Sequence, residues 1–302
     1  MRSDGKIAYC WFRPRNSFAD QVQKVGSVRE YQIGMLWVDG PLSFLEQLCI
    51  KSFLDAGQHV CLYTYGDVTH IPDGVERRDA RTILPDSELI THGRTGSPAP
   101  HSDKFRYRML VQEPDLIWAD TDAYCVKPFS TPNGHYYGYL EGEVAIGVLA
   151  MPPDSEALGL LNTYTQDPYL IPPWTPKRIR IPLQEAQEKG EPINVPEVYW
   201  GAWGPKAITW ALTKTKEIEH ALPEHVFYPV NFSRRRALAR PGADLSAFMK
   251  EDTVSIHFYG RRMRSILSNK YGGIPDPNSL VGQLVAKHGI DPREAPIFAH
   301  GS

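Results

Sequence analysis

The chain has 302 residues, 42% of them hydrophobic and 23% charged, enough for one large α/β domain or two small ones. A formal net charge of −2 gives no basic face broad enough to bind nucleic acid by charge, despite the short runs Arg234-Arg235-Arg236 and Arg261-Arg262-Met263-Arg264. No stretch approaches the ~18 apolar residues of a membrane span, and the opening MRSDGKIAYCWF is not a signal peptide, so a cytoplasmic setting is expected.

Residues 1–29 carry no motif that bears on function. Gly34 to Val38 is a short apolar run that reads as a strand, broken by Gly40-Pro41. Ser43 then stands as N-cap with Glu46 three residues on, the capping-box pattern, and Leu45, Leu48, Cys49 and Phe53 carry one apolar face to a stop at Gly57. His59 to Tyr65 reads as a second strand, and strand–helix–strand in this span predicts a parallel pair. Ser102 to Gln112 is a further helix, with Ser102 as its expected N-cap. Leu116 to Ala119 is a strand running straight into Asp120-Thr121-Asp122, and Val144 to Ala150 is another, ended by Pro152-Pro153. This alternation predicts a mostly parallel sheet flanked by helices.

Between residues 167 and 196 prolines recur around Trp174, Lys177, Arg178 and Arg180. The stretch is expected to be an irregular loop with a short helix near Leu183–Lys189, serving as a lid or touching a lipid surface. Gly204-Pro205 opens a helix over Lys206–Thr213, and Val254 to Phe258 alternates as a late strand. The four cysteines, Cys10, Cys49, Cys61 and Cys125, form no C-x-x-C pair and have no His at zinc spacing. The last three sit among apolar residues and read as small buried hydrophobes of a reducing compartment.

With 18 Asp in the chain, chance alone supplies about one D-x-D triplet, so the triplet means little by itself. Its setting means more. Two carboxylates at the carboxyl end of a strand, where open sheets bind ligands, can converge on one hard cation such as Mg²⁺ or Mn²⁺. The plain alternative is a solvated turn.

Four ordered blocks carry a resemblance. His101-Ser102-Asp103-Lys104-Phe105-Arg106-Tyr107-Arg108-Met109-Leu110 and Trp118-Ala119-Asp120-Thr121-Asp122-Ala123-Tyr124-Cys125 resemble glycosyltransferases with the DxD sugar-binding region. That family includes α-1,4-galactosyl and N-acetylglucosaminyl transferases, the yeast initiating mannosyltransferase and bacterial capsular polysaccharide enzymes. The stretches 36–57 and 75–85 are similar to bacterial and plant members. The likeness is good over roughly 30–150 and loose beyond. It departs at Asp115-Leu116, where the family places Gly-Gly, and near Ile146-Gly147, where its Asn is missing.

The resemblance implies a single GT-A (Rossmann-like) domain. Residues 30–150 would bind the nucleotide sugar, and 151–302, with the Pro-rich loop 167–196, would bind a glycan or glycolipid acceptor. It implies a retaining hexosyl transfer from a nucleoside-diphosphate sugar, expected to be UDP-linked, with Mn²⁺ or Mg²⁺ held by Asp120, Asp122 and His257. Asp103 would accept a sugar hydroxyl, Arg106 and the adjoining Tyr107 would meet the donor, and Trp37 would stack on the base. Each has a plainer reading. Asp103 suits a helix dipole, Arg106 suits an ion pair with Asp103, and Trp37 and His257 suit a core. Arg261, Arg262 and Arg264 grip phosphate or form a solvated face. Two rival functions are a non-catalytic sugar-nucleotide or glycan binder and a metal-dependent hydrolase using Asp120, Asp122 and His257.

Overall fold

Period-two alternation along short strands organises the centre of the molecule, which is described here from a computed structural model over residues 30–94 and 96–298. Cys10 and the segment 1–29 lie outside the described residues. In β1 (Gln32–Trp37), Ile33 and Met35 face one layer, while Leu36 faces the other. After α1 (Phe44–Asp55) comes β2 (Val60–Thr64), with Val60 and Leu62 on the first side and Cys61 and Tyr63 on the second. Side chains two apart share a face, so each strand feeds two cores, as a sheet covered on both sides requires. The Ser43–Glu46 capping box forms as expected, and Gly57 lies just beyond the helix at φ 80°.

The chain continues through β3 (Glu76–Asp79), α2 (Ala99–Gln112), β4 (Leu116–Ala119) and β5 (Ala123–Cys125). The small strands β6 (Tyr139–Leu140), β7 (Glu143–Val144) and β8 (Val148–Leu149) follow. Next come α3 (Glu156–Gln166), α4 (Lys177–Glu188), α5 (Val195–Val198), α6 (Pro205–Thr215) and α7 (Glu224–Phe227). The described chain closes with β9 (Ser255–His257), α8 (Gly260–Tyr271) and α9 (Leu280–Lys287). The main sheet has the order β3-β2-β1-β4-β8, parallel except for the β4–β8 pair. This is one mixed α/β domain with a mostly parallel sheet between helices. Strand order reverses between β1 and β4, which opens a crevice at their carboxyl ends.

Four local expectations change. Helix α2 begins at Ala99, because Pro100 is pre-organised for a first turn. Ser102 is therefore inside the helix and its hydroxyl accepts from Arg106. The run Val144–Ala150 is not one strand, since Gly147 turns its carbonyl to the Asp120 amide at 2.7 Å. Helix α4 runs five residues past Pro182 on its amino side, because one proline on an exposed helix removes a single backbone bond. Its Leu183 packs with Val195, Tyr199, Ala202 and Trp203 in a small cluster, so the Pro-rich stretch is anchored along much of its length. Cys49, Cys61 and Cys125 are buried free thiols, in line with their apolar surroundings. No described helix is long and apolar enough to cross a membrane.

Candidate functional site

The triplet Asp120-Thr121-Asp122 forms the turn from β4 to β5, closed by the bond from Ala123 N–H to Asp120 O at 2.9 Å. Two neighbouring segments, each next to a strand, pin the turn from outside. Gly147 O takes the Asp120 amide, and Asp122 O takes the Phe258 amide at 2.8 Å. Antiparallel pairing of β5 with β9 sets Ala123 opposite His257, bringing an imidazole from 135 residues further along to the side of Asp122. Ligand atoms of Asp120, Asp122 and His257 all lie within 4.8 Å of one another.

The bonding around this trio is incomplete in a directed way. Asp120 Oδ1 accepts from Trp118 Nε1 at 2.8 Å and from Arg106 Nη1 at 3.1 Å, whereas its Oδ2 takes no hydrogen bond from a described residue. Asp122 Oδ2 accepts from the Gly260 amide, the first N–H of α8, at 2.5 Å. Asp122 Oδ1 is buried and without a hydrogen bond, 3.4 Å from His257 Nε2. Adjacent ligands on an octahedral cation with bonds near 2.1 Å stand about 3 Å apart, so the pair is spaced to share one. Burial drives the Asp120 carboxyl upwards, Arg106 opposes it, and the Asp122 charge adds to the rise. A shared cation relieves both the burial and the repulsion. The residues fit a hard divalent ion with two oxygens and one imidazole nitrogen.

His257 is held between the rings of Tyr228 and Tyr259, with centroids 5.5 and 4.9 Å away at near-perpendicular angles. Gly147 closes the third side. A Cβ there would come within 2.8 Å of His257 Cε1, so any side chain displaces the imidazole.

A cleft of about 360 Å³ opens beside the trio at the carboxyl ends of β1 and β4, lined among others by Trp37, Asp39, Arg106, Asp122 and Arg264. Trp37 sits on its wall, its ring 5.4 Å from the Arg264 guanidinium, its indole N–H bonded to Gly40 O. Arg264 in turn pairs with Glu46, a wholly buried carboxylate that also closes the α1 capping box. Of the three arginines in that run, Arg264 lines the cleft and Arg261 lies over Trp200, 5.5 Å from its centroid.

Arg106 is buried and donates four hydrogen bonds, to Ser102 O, Ser102 Oγ, Asp120 Oδ1 and Ile146 O, with Asp103 Oδ1 as an ion-pair partner 3.2 Å from Nη2. Its guanidinium also lies 4.7 Å from the Trp118 ring. Most of its five donors are thus engaged in holding carboxylates and backbone, while the side chain also lines the cleft. Asp103 stands behind it with its side chain about one-tenth exposed, and burial pushes its carboxyl up to about 7 against the pull of Arg106. Tyr107 is placed elsewhere than the sequence suggested. It is fully buried in the core and donates to Trp203 O at 2.8 Å.

Sequence reading missed Trp118, Gly147, Gly260 and Glu46. Glu46 was read only as a helix cap, while Trp118 left a signal in lying two residues before Asp120 along an extended run.

No protein-family model matches this chain, and no curated protein does. Among solved structures it is similar to PaToxG glycosyltransferase, with 16% identity and a TM-score of 0.38, over 63% of this chain and 70% of that one. It is also similar to the WbbM bifunctional glycosyltransferase, with 11% identity and a TM-score of 0.35, over 90% of this chain. The match spans about half of WbbM, 51% of its length.

Proposed function

We propose that the protein is a metal-dependent glycosyltransferase that moves a hexose from a nucleoside-diphosphate sugar, UDP-linked in the first instance, to a glycan hydroxyl. The observation that carries this reading is the convergence of Asp120, Asp122 and His257 at the mouth of a cleft at the sheet's switch point, with Asp122 Oδ1 left unbonded. The ordered sequence blocks around Asp103 and Asp120 support the same chemistry.

A divalent cation bound there would supply Lewis-acid stabilisation of the departing diphosphate. The protein's own part is preorganisation. Arg106 and Trp118 fix one oxygen of Asp120, and the amino end of α8 fixes one oxygen of Asp122, so the opposite oxygen of each is left for the ion. Trp37 offers a ring face to the base, and Arg264, held by Glu46, places positive charge on the same wall. Asp103 acts one step back, fixing Arg106. The retaining outcome follows a front-face course in which the leaving phosphate takes the acceptor proton, and no further protein nucleophile is required.

The arrangement suits a glycosidase poorly. Its two carboxylates come from one turn, two residues apart, and gather with the same imidazole rather than facing each other across a sugar-sized gap.

A thermal-shift panel of UDP-, GDP-, CMP- and dTDP-sugars, each with and without Mn²⁺, tests the proposal. One nucleotide family is expected to stabilise the protein only when metal is present, and Asp122→Asn to abolish that shift. A cooperatively melting protein that responds to no member of the panel overturns the reading.

A further inference from the structure

Away from the cleft, a second groove of about 500 Å³ runs along the outer face of α6. It holds Trp174, Trp210, Lys206, Lys214, Thr213 and Glu143. Two indoles line one wall, backed by a tyrosine. Trp174 and Trp210 lie 5.1 Å apart at 47°, and Tyr164 of α3 stands edge-on to both at 5.0 and 5.6 Å. The tryptophans are half-buried rather than covered. The indole N–H of Trp174 is spent on Ala202 O at 2.7 Å, so that ring offers only its face, whereas Trp210 Nε1 donates to no described residue. Mutual edge contacts fix the rings in place, so little freedom is lost when something packs on them.

Charge is arranged around the aromatic wall. Lys206, Trp210 and Lys214 recur every four residues and therefore share one stripe of α6. Both lysines are exposed, and neither forms an ion pair among the described residues. Glu143 is the acid in the groove, which leaves it one positive charge in excess. The helix also links the two sites. A Cβ at Gly204, its N-cap, would stand 3.4 Å from Asp103, and Trp210 lies six residues, or ~9 Å, further along the axis.

The geometry points to an oligosaccharide subsite that takes an acidic glycan, one sugar ring laid on Trp210 and its carboxylate between Lys206 and Lys214. Sugar rings present a face of C–H groups that suits an indole and a rim of hydroxyls that suits Trp210 Nε1, Thr213 and Glu143. A lipid surface is matched less well, because the indoles are half-buried and the net charge is small. As an acceptor site it rests on the transferase reading of the neighbouring cleft. As a binding site it stands without it.

The test is direct binding by calorimetry. The probes are oligogalacturonate, hyaluronan and sialylated oligosaccharides, each paired with its carboxyl methyl ester. At least one acidic member is expected to bind, and its ester about tenfold more weakly. Trp210→Ala should weaken the acid form about tenfold or more, Trp210→Phe should keep most of the affinity, and the double variant Lys206→Gln/Lys214→Gln should bring acid and ester level. Equal affinity for acid and ester overturns the proposal. So does binding of none of the saccharides by a protein that melts cooperatively, or Trp210-dependent binding to phosphatidylserine vesicles instead. A protein that binds acidic saccharide but no nucleotide sugar keeps this subsite and loses the transferase reading. The reverse result loses only the subsite.

Discussion

Two trios in this molecule have the residue types and the spacing of a metal site, and they differ in what their atoms are already doing. Asp120, Asp122 and His257 gather at the carboxyl ends of the strands. His59, Cys61 and Glu76 gather at the amino ends of β2 and β3, with ligand atoms also within 4.8 Å of one another. At the second trio the bonding is complete. Glu76 Oε2 meets His59 Nε2 at 2.5 Å and Arg78 Nη2 at 3.2 Å, and Oε1 takes Arg78 Nε at 2.7 Å. The Cys61 thiol donates to Gln32 Oε1, and burial pushes it up to about 12, with Arg78 opposing. At the first trio the supporting bonds stop one atom short on each carboxylate. Ligand types and proximity are common to both places, and what distinguishes them is the bonding capacity left unmet.

Each trio leans on an arginine, and removing that arginine should expose the difference most strongly. Arg106→Met leaves the buried Asp103 and the partly exposed Asp120 without their cation, and is expected to cost about 3 kcal/mol in denaturant unfolding. Arg78→Met removes a partner from the half-exposed Glu76 and is expected to cost less than about 1 kcal/mol. Similar losses for the two variants would break the comparison. A subtler variant acts without touching any ligand. Gly147→Ala drives a methyl against an imidazole confined between Tyr228 and Tyr259. Mn²⁺ affinity measured by calorimetry should fall about 10- to 100-fold while the melting transition stays cooperative. Unchanged affinity would remove His257 from the site.

The surroundings of the first trio were largely legible in the sequence, because much of them is local, whereas the second trio was passed over when the cysteines were read as having no His at zinc spacing. The capping box at Ser43–Glu46, the β1–α1–β2 unit and the run of β4 into Asp120 all follow from periodicity and turn chemistry within a few residues. Asp120 and Asp122 come together because they share one turn. The position of His257 was named from the resemblance, but what delivers it is the β5–β9 register, a pairing across more than 130 residues that no local pattern encodes. Gly147 was read as part of a strand, since its duty depends on an imidazole from elsewhere. Tyr107 shows the opposite error. It adjoins Arg106 in sequence, but consecutive helical residues face different ways, so Arg106 meets the cleft and Tyr107 the core. Arg106 was expected to meet the donor, and it lines the cleft with its guanidinium also holding Asp103 and Asp120.

The smallest expected effect is the most discriminating one. Cys61→Ser takes the best soft ligand from the amino-end trio, and a thiol held near 12 carries almost no thiolate at neutral pH. Metal ligation needs that thiolate, and forming it means breaking the Gln32 bond and bringing a cation beside Arg78, which already holds both Glu76 oxygens. Native mass spectrometry should therefore find the same number of bound Mn²⁺ or Zn²⁺ ions in Cys61→Ser as in the parent protein, and one fewer in Asp122→Asn. Loss of an ion with Cys61→Ser would mean that existing hydrogen bonds do not protect a ligand trio from metal. The unbonded oxygen of Asp122 would then no longer separate the proposed site from its look-alike.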